Sequence, residues 1–245
     1  MEILTVPGNR GSAWIKDAYA IFKRAPWVWI GMMVVTFVLF GIAMAVPLVG
    51  NVAMSLLQPV FTAGLMVACR DSDQGQPVTL EHLFAGFKNR MGPLITLGTL
   101  NLLMSAIVLG VTFLGGAAGL WSKWDAIKDG TLAQNPAELI STLITFSVVL
   151  TVGAVGFLLV TFATWFAPAL IILKGLNAVE SIKASFLGCI RNVWPLTMYS
   201  LWLLLWAVLA SIPLGLGWIV LLPVLVITEY TGFRDIFQGA KQELL

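Results

Sequence analysis

The sequence predicts an all-α polytopic membrane protein in which six transmembrane helices form three hairpins, each preceded by a short amphipathic cytoplasmic helix. Two properties of the composition indicate this fold class: 59% of the 245 residues are hydrophobic, and only 11% are charged. A soluble domain usually carries about a quarter charged residues, whereas lipid can cover apolar side chains directly. A third observation, a segment that recurs along the chain, indicates how the helices are grouped.

The recurring segment has a proline inside an apolar run and an Arg-Asp pair where the run ends. Its first copy covers residues 59–71 and its second covers residues 223–235. A shorter third copy begins at Pro168 and reaches a charged residue at Lys174. We predict from this spacing three related units within a single integral membrane domain. Their approximate limits are 12–71, 79–174 and 177–235.

Each unit opens with a segment whose apolar residues recur at helical spacing. Residues 12–24 place their apolar side chains, among them Trp14, on one face, which predicts a helix lying in the membrane interface. Residues 79–90 form the second such segment. The third begins at Asn177, a good N-cap residue, with Glu180 three residues later. A proline and an apolar run follow each segment.

The predicted spans are apolar runs of about 20 residues or more, the length that a helix needs to cross the hydrocarbon core. They cover residues 27–46, 48–69, 93–115, 139–173, 194–212 and 214–230. A tight turn that begins at Pro47 joins the first two. The fourth run is too long for one upright crossing, so tilt, an extension on the outer side or a break at Pro168 must absorb the excess. Gly115 and Gly119 form a GxxxG pair, which indicates close helix packing.

The basic residues predict an orientation. Every Lys and Arg except Lys123 and Lys128 falls on the side that the termini share with the amphipathic segments, and this set includes Lys241. The positive-inside rule therefore places both termini in the cytoplasm, in a bacterial inner membrane. We expect no cleavable signal peptide, so the first span itself directs insertion. Cys69 and Cys189 lie at span ends on the same side, where we expect reduced thiols without a disulfide.

Little in the sequence indicates catalysis. His82 is the only histidine, and Glu81 is its neighbour rather than one turn away, so the spacing of metal ligands is absent. We interpret His82 as a polar-face residue of an interfacial helix. No nucleophile motif or phosphate-binding loop can be read from the chain. We therefore expect no enzymatic activity, no catalytic residue, no cofactor and no metal, and the net charge of +2 is too small to indicate nucleic acid.

The cations of the amphipathic segments are the candidate binding residues. They lie opposite aromatic and aliphatic faces, an arrangement that binds the headgroups of anionic membrane lipids. The candidate headgroup contacts are Lys16, Lys23, Arg24, Lys88, Arg90, Lys183 and Arg191. The resulting hypothesis is a non-enzymatic membrane component that holds lipid, a partner membrane protein or another copy of itself.

The alternative hypothesis is a transporter or channel for a small or hydrophobic solute. Pro59, Pro168 and Pro223 each free a backbone carbonyl, which in transporters can mark a site at the midplane. Glu229 is the acidic residue nearest the centre of a span, although it lies close enough to the interface to be hydrated. The other acids near span ends, such as Asp235, are interpreted as solvated surface charges.

Several of these segments carry a resemblance to known families. Residues 14–26, 47–50 and 59–71, followed by 83–87, resemble a family of uncharacterised six-span bacterial inner-membrane proteins. The chain is also distantly similar to the membrane-anchor region of membrane-bound glycerophosphodiester phosphodiesterases. The resemblance implies a topology. It implies no substrate and no catalytic residue, because the phosphodiesterase catalytic domain has no counterpart in this sequence.

Overall fold

The computed structural model describes residues 2–46, 48–131 and 135–239. Pro47 of the predicted first turn and Lys241 of the predicted cytoplasmic side lie outside these ranges. The described residues form helices and connecting turns without a strand, which confirms the all-α class. The chain divides into two compact units. The main unit comprises Met1–Thr99 with Phe162–Leu245, and the hairpin unit comprises Leu100–Thr161.

The helices follow one another closely along the chain. They are α1 (Arg10–Phe22), α2 (Pro26–Met44), α3 (Val49–Asp73), a 3₁₀ helix (Leu80–Phe84), α4 (Ala85–Lys88), α5 (Met91–Trp121), α6 (Trp124–Lys128), α7 (Pro136–Thr164), α8 (Ala167–Lys174), α9 (Ala178–Arg191), α10 (Val193–Ser211) and α11 (Trp218–Phe237).

In the described part of the chain, five helices are long and apolar enough to cross a membrane. They are α2, α3, α5, α10 and the run Pro136–Lys174 that contains α7 and α8. These five correspond to the first five predicted spans. The predicted sixth, α11, is not among them, and its 20 residues include Glu229, Arg234 and Asp235. A crossing by α11 and the arrangement in three hairpins therefore stay predictions.

The fourth apolar run is interrupted between two helices. α7 ends at Thr164, and α8 begins at Ala167 with Pro168 in its first turn. Proline suits this position because its missing N–H would have no helical acceptor there. Ser185 of α9 bridges the break, since its hydroxyl accepts from the Phe166 N–H at 3.0 Å and donates to the Phe162 carbonyl at 2.8 Å. The interruption thus lies just before Pro168, and a break at Pro168 is one of the three predicted ways to accommodate this run, beside tilt and an extension.

Two of the three amphipathic segments form α-helices, and the second does not form a continuous one. α9 has the predicted cap, with the Glu180 N–H donating to Asn177 Oδ1 at 2.9 Å. Residues 79–90 instead form the 3₁₀ helix and then the short α4. The physical reason is close packing, because Gly64 of α3 and Gly86 of α4 leave no room for a Cβ between the backbones.

The three helices that carry Pro59, Pro168 and Pro223 each pack against an amphipathic segment. α3 contacts the 3₁₀ helix and α4, α8 contacts α9, and α11 contacts α1. The beginning and the end of the described chain therefore meet. The Leu4 N–H donates to the Ile236 carbonyl at 2.9 Å, and the buried Asn192 accepts from the Val6 N–H at 2.9 Å. The three repeat units themselves stay a prediction.

The centre of the main unit is a buried core close to the ends of α3 and α11. Its largest fully buried side chains include Trp14, Trp29, Phe166 and Phe233. Both cysteines are buried and free, as expected. Burial raises the pKa of the Cys189 thiol to about 12, so the unreactive thiol form persists at neutral pH.

The hairpin unit is held together by small residues. Gly115 and Gly119 of α5 face Val149 and Thr145 of α7, and Gly153 of α7 in turn faces α5. Small side chains allow two apolar helices to approach closely where lipid removes the usual hydrophobic driving force. The GxxxG pair serves helix packing, as predicted.

Pro59 also has a packing role. Inside α3 it leaves the Ser55 carbonyl without a helical N–H partner. Gly98 of α5 lies against this turn, and a Cβ added there would stand 2.9 Å from the Ser55 oxygen and 2.6 Å from the Leu56 oxygen. The proline-containing turn of α3 is thus covered by the backbone of α5.

We predict that Gly98→Ala destabilises the main unit, although alanine is normally the better helix former. The added Cβ would meet backbone rather than a movable side chain, and such overpacking costs about 1–3 kcal/mol. Thermal unfolding of the purified protein in detergent measures the effect. Gly92→Ala in the same helix is the control, because a Cβ there meets nothing within 4 Å. Equal melting temperatures for the two variants would contradict the prediction.

Candidate functional site

An alternating chain of charges joins α1, α3 and α11. Its members, Asp235, Arg10, Asp17, Arg234 and Asp73, are called the ion-pair cluster below. Asp235 at the end of α11 is buried, and its Oδ2 accepts from Arg10 Nε at 2.6 Å. Arg10 also donates to Asp17 at 3.2 Å through Nη2. The hydrogen bond from Asp235 raises the pKa of Arg10, so its charge persists throughout the physiological range.

The second half of the ion-pair cluster connects α11 to α3. Arg234 Nη2 lies 3.3 Å from Asp17 Oδ2, and Arg234 Nη1 donates to both oxygens of Asp73 at 3.1 and 3.0 Å. The Tyr230 hydroxyl donates to the same carboxylate at 3.2 Å. Charges of opposite sign therefore alternate from one end of the cluster to the other. A buried charge is tolerated only when it is paired in this way.

The two Arg-Asp pairs of the recurring segment have different partners. Arg234 and Asp235 pair with residues of other helices, whereas Arg70 pairs with its neighbour Asp71 at 2.8 Å. His82 Nε2 lies 3.1 Å from the other oxygen of Asp71. His82 therefore fastens the 3₁₀ helix to the end of α3. The interpretation of Asp235 as a solvated charge is wrong, because its side chain is fully buried beneath α1. Asp73 is partly exposed and is paired with Arg234.

Trp14 completes the attachment of α1. Its indole N–H donates to Asp235 Oδ2 at 2.8 Å, and its backbone carbonyl accepts from the Thr231 hydroxyl at 3.1 Å. Gly11 lies against the backbone of α10 near Tyr199. α1 is consequently fixed across the ends of α10 and α11. Its apolar face is buried in the protein.

The candidate headgroup contacts divide into two groups. Four exposed lysines make no ion pair in the described part of the chain, and we call them the basic surface: Lys16, Lys23, Lys88 and Lys183. Within it, Lys23 Nζ lies 5.0 Å from the ring centroid of Tyr19.

The arginines form the second group and are engaged with the backbone. Arg24 donates to the Ser72 carbonyl and to the Asp73 carbonyl, the latter at 3.2 Å. Arg191 donates to the Ile3 carbonyl at 3.4 Å. The Arg90 guanidinium lies beside Gly175. Removing these side chains would disturb packing as well as charge.

The four candidate pathway residues lie on three helices. Pro59 and Pro223 lie inside α3 and α11, and Pro168 lies in the first turn of α8. All three prolines are buried. Glu229 Oε1 is a buried atom without a hydrogen-bond partner among the described residues.

An apolar groove of 760 Å³ lies between α1, α10 and α11. Trp202 and Trp206 line the α10 side, and Val220 and Val224 line the α11 side. The groove wall contains polar side chains only where α1 closes one end, and these are Ser12, Lys16 and Tyr19. None of the candidate pathway residues lines this groove.

Only partial signals for these sites can be found in the sequence. Trp202 and Trp206 are four residues apart, so they share a face of α10, but nothing local shows that α1 closes that face. Arg10 and Asp235 are 225 residues apart and carry no mutual signal. The described residues contain no group of three or more His, Cys, Asp or Glu side chains that could hold a metal ion. The chain matches no family model, no curated protein and no solved structure.

We predict that Asp235→Ala destabilises the protein by about 3 kcal/mol, because it leaves the Arg10 charge and the Trp14 N–H without their acceptor. Thermal or chemical unfolding in detergent measures the loss. Asp129→Ala is the control, since Asp129 is exposed and belongs to no ion pair in the described structure. A loss of similar size in both variants would argue against a structural role for the cluster.

Proposed function

We propose that the chain is a non-enzymatic integral membrane component whose basic surface binds the headgroups of anionic phospholipids. One observation carries the proposal. The aspartates near the basic surface are engaged in ion pairs with Arg10, Arg70 and Arg234, whereas the lysines remain exposed and unpaired in the described structure. The exposed acids on these segments are fewer, namely Glu81 and Glu180, and Glu180 caps α9. The uncompensated charge is therefore positive.

The lysines of α1 and α9 are held in fixed positions, and this strengthens their interaction with lipid headgroups. A cation near an anionic leaflet contributes about 1 kcal/mol, and flexible lysine stems can reach several headgroups. α1 and α9 bury apolar side chains such as Trp14 and Cys189 within the protein. Their lysines are consequently held in place relative to the main unit, unlike those of a helix that floats freely in the interface.

The proposal includes six crossings of a bacterial inner membrane, with the ion-pair cluster on the cytoplasmic side. Asp73 and Arg234 join the C-terminal ends of α3 and α11, so these two ends belong to the same side. The 20 residues of α11 extend about 30 Å in total, and its last turn, with Arg234 and Asp235, lies at the cytoplasmic interface in this proposal. The cytoplasmic leaflet is the one whose anionic lipids attract basic segments.

We predict that Lys88→Gln combined with Lys183→Gln weakens the binding of phosphatidylglycerol by roughly tenfold or more, since each lost cation contributes about 1 kcal/mol. Titration of the detergent-purified protein with phosphatidylglycerol and with phosphatidylcholine, followed by native mass spectrometry, measures the preference. The preference should also fall as salt is added.

Lys123→Gln combined with Lys128→Gln is the matched control, because it removes the same number of charges from α6 and its N-cap. The arginines are left unchanged, since Arg24 and Arg191 hold backbone carbonyls. If the Lys88 and Lys183 variant keeps its preference for phosphatidylglycerol, the proposal fails, and a partner protein becomes the alternative ligand of this surface.

We predict that reporter tags inserted at Gly75 and Gly130 report opposite compartments, with Gly75 in the cytoplasm. Both glycines lie in turns with positive φ and open space around them, so they tolerate insertion. A third tag after Leu245 distinguishes six crossings from five. It should report the same side as Gly75 if α11 crosses, and the same side as Gly130 if α11 does not.

A further inference from the structure

We propose that the groove between α1, α10 and α11 binds one molecule of an anionic phospholipid, with its phosphate at Lys16 and an acyl chain between Trp202 and Val220. This inference rests on the proposed function and assigns it a specific site. The four lysines of the basic surface attract headgroups in general. The groove adds a place where a single lipid is held by its chain as well.

The distribution of polar groups in the groove matches an amphiphile. α10 and α11 contribute apolar side chains such as Trp206 and Val224, whereas Ser12, Lys16 and Tyr19 all belong to α1. One end of the groove is therefore polar and cationic. A molecule with one polar head and an apolar chain satisfies both parts at once.

The shape of the groove also favours an acyl chain. At the end away from α1, Gly217 lies against Ala210, where an added Cβ would stand 2.5 Å from the Ala210 Cα. α10 and α11 are therefore in contact there, and α1 covers the other end. The volume of 760 Å³ lies within the range of about 300–1,000 Å³ that is typical of small-molecule sites.

The positive charge of Lys16, at the α1 end of the groove, favours an anionic ligand. Lys16 is exposed and makes no ion pair in the described part of the chain, and the neighbouring Asp17 is engaged by Arg10 and Arg234. Tyr19 also lines the groove, and Lys23 Nζ lies over the face of the Tyr19 ring. A phosphodiester provides the negative charge that this end of the groove lacks.

A helix from a second copy of the chain fits less well. Of the five candidate spans, α2, α5 and α10 contain no acidic residue. Asp71 and Asp73 of α3 are already paired with arginines, and Glu138 lies in the first turn of α7, which the proposed topology places on the side opposite Lys16. A lipid from the cytoplasmic leaflet supplies both the anion and the chain. We therefore assign the groove to phospholipid and use oligomeric state as a test of the other occupant.

The experiment counts phospholipid retained by the protein after purification in mild detergent, by native mass spectrometry, with phosphatidylglycerol added back as the probe. Val220→Trp fills the groove from α11, and its control is Ile219→Trp, the adjacent residue, which does not line the groove. Both positions are exposed, at 39% and 50%, so neither substitution needs the core to rearrange. We expect one retained phosphatidylglycerol per chain in the wild type and in Ile219→Trp, and none in Val220→Trp.

Lys16→Gln provides a second, independent variant at an exposed position. It should lower the preference of the retained site for phosphatidylglycerol over phosphatidylcholine about fivefold, because it removes one cation and leaves the apolar walls unchanged. Retention of the lipid by Val220→Trp, or an unchanged preference in Lys16→Gln, would overturn the assignment. A lower particle mass in Val220→Trp, with the lipid retained, would assign the groove to a second copy instead.

The variant with Lys88→Gln and Lys183→Gln separates this inference from the proposed function. It should keep the single retained lipid while its wider preference for phosphatidylglycerol falls. If Val220→Trp has no effect and the lysine variant loses its preference, the basic surface binds lipid and the groove does not. If neither variant changes lipid binding, both the groove assignment and the proposed function are wrong.

Discussion

The structure of the main unit depends on the buried carboxylate of Asp235. It lies at the end of α11 and accepts hydrogen bonds from Arg10 and Trp14, which belong to the first helix. Taking a carboxylate out of water is costly, and only a positive partner with well-directed donors compensates for it. The pairing therefore specifies where α1 is placed. It connects residues that the sequence separates almost by its full length.

The same pairing determines the charge of the neighbouring surface. Asp17 and Asp73 could each have neutralised a lysine, but the two arginines engage them instead. A guanidinium can donate to several carboxylate oxygens from one rigid plane, so arginine is the better partner in a partly buried cluster. Lysine is more strongly hydrated and stays at the surface. Because Arg10 and Arg234 engage these aspartates and the lysines stay exposed, a chain with a net charge of only +2 presents a basic surface.

The sequence predicted the parts of the fold that local chemistry decides. The apolar runs and the cap at Asn177 follow from neighbouring residues, and Pro168 indicated a break as one of three ways to accommodate the fourth run. It did not predict the 3₁₀ helix, because that depends on how closely Gly64 and Gly86 bring two segments together. The sequence also did not predict the ion-pair cluster, because its residues meet only through tertiary packing. An acid near a span end looks solvated until the helix that covers it is known.

The groove depends both on the local sequence pattern of its helices and on the tertiary position of α1. Its apolar walls follow from the faces of α10 and α11, but its polar end exists only because α1 is fastened there by Trp14 and Thr231. Lys16 lies two residues after Trp14 in the same helix, so the indole that contacts Asp235 also positions the ammonium group at the mouth of the groove. A floating interfacial helix could not hold a cation beside the proposed acyl-chain site. In this proposal, the buried Asp235 connects the stability of the fold with the selection of an anionic ligand.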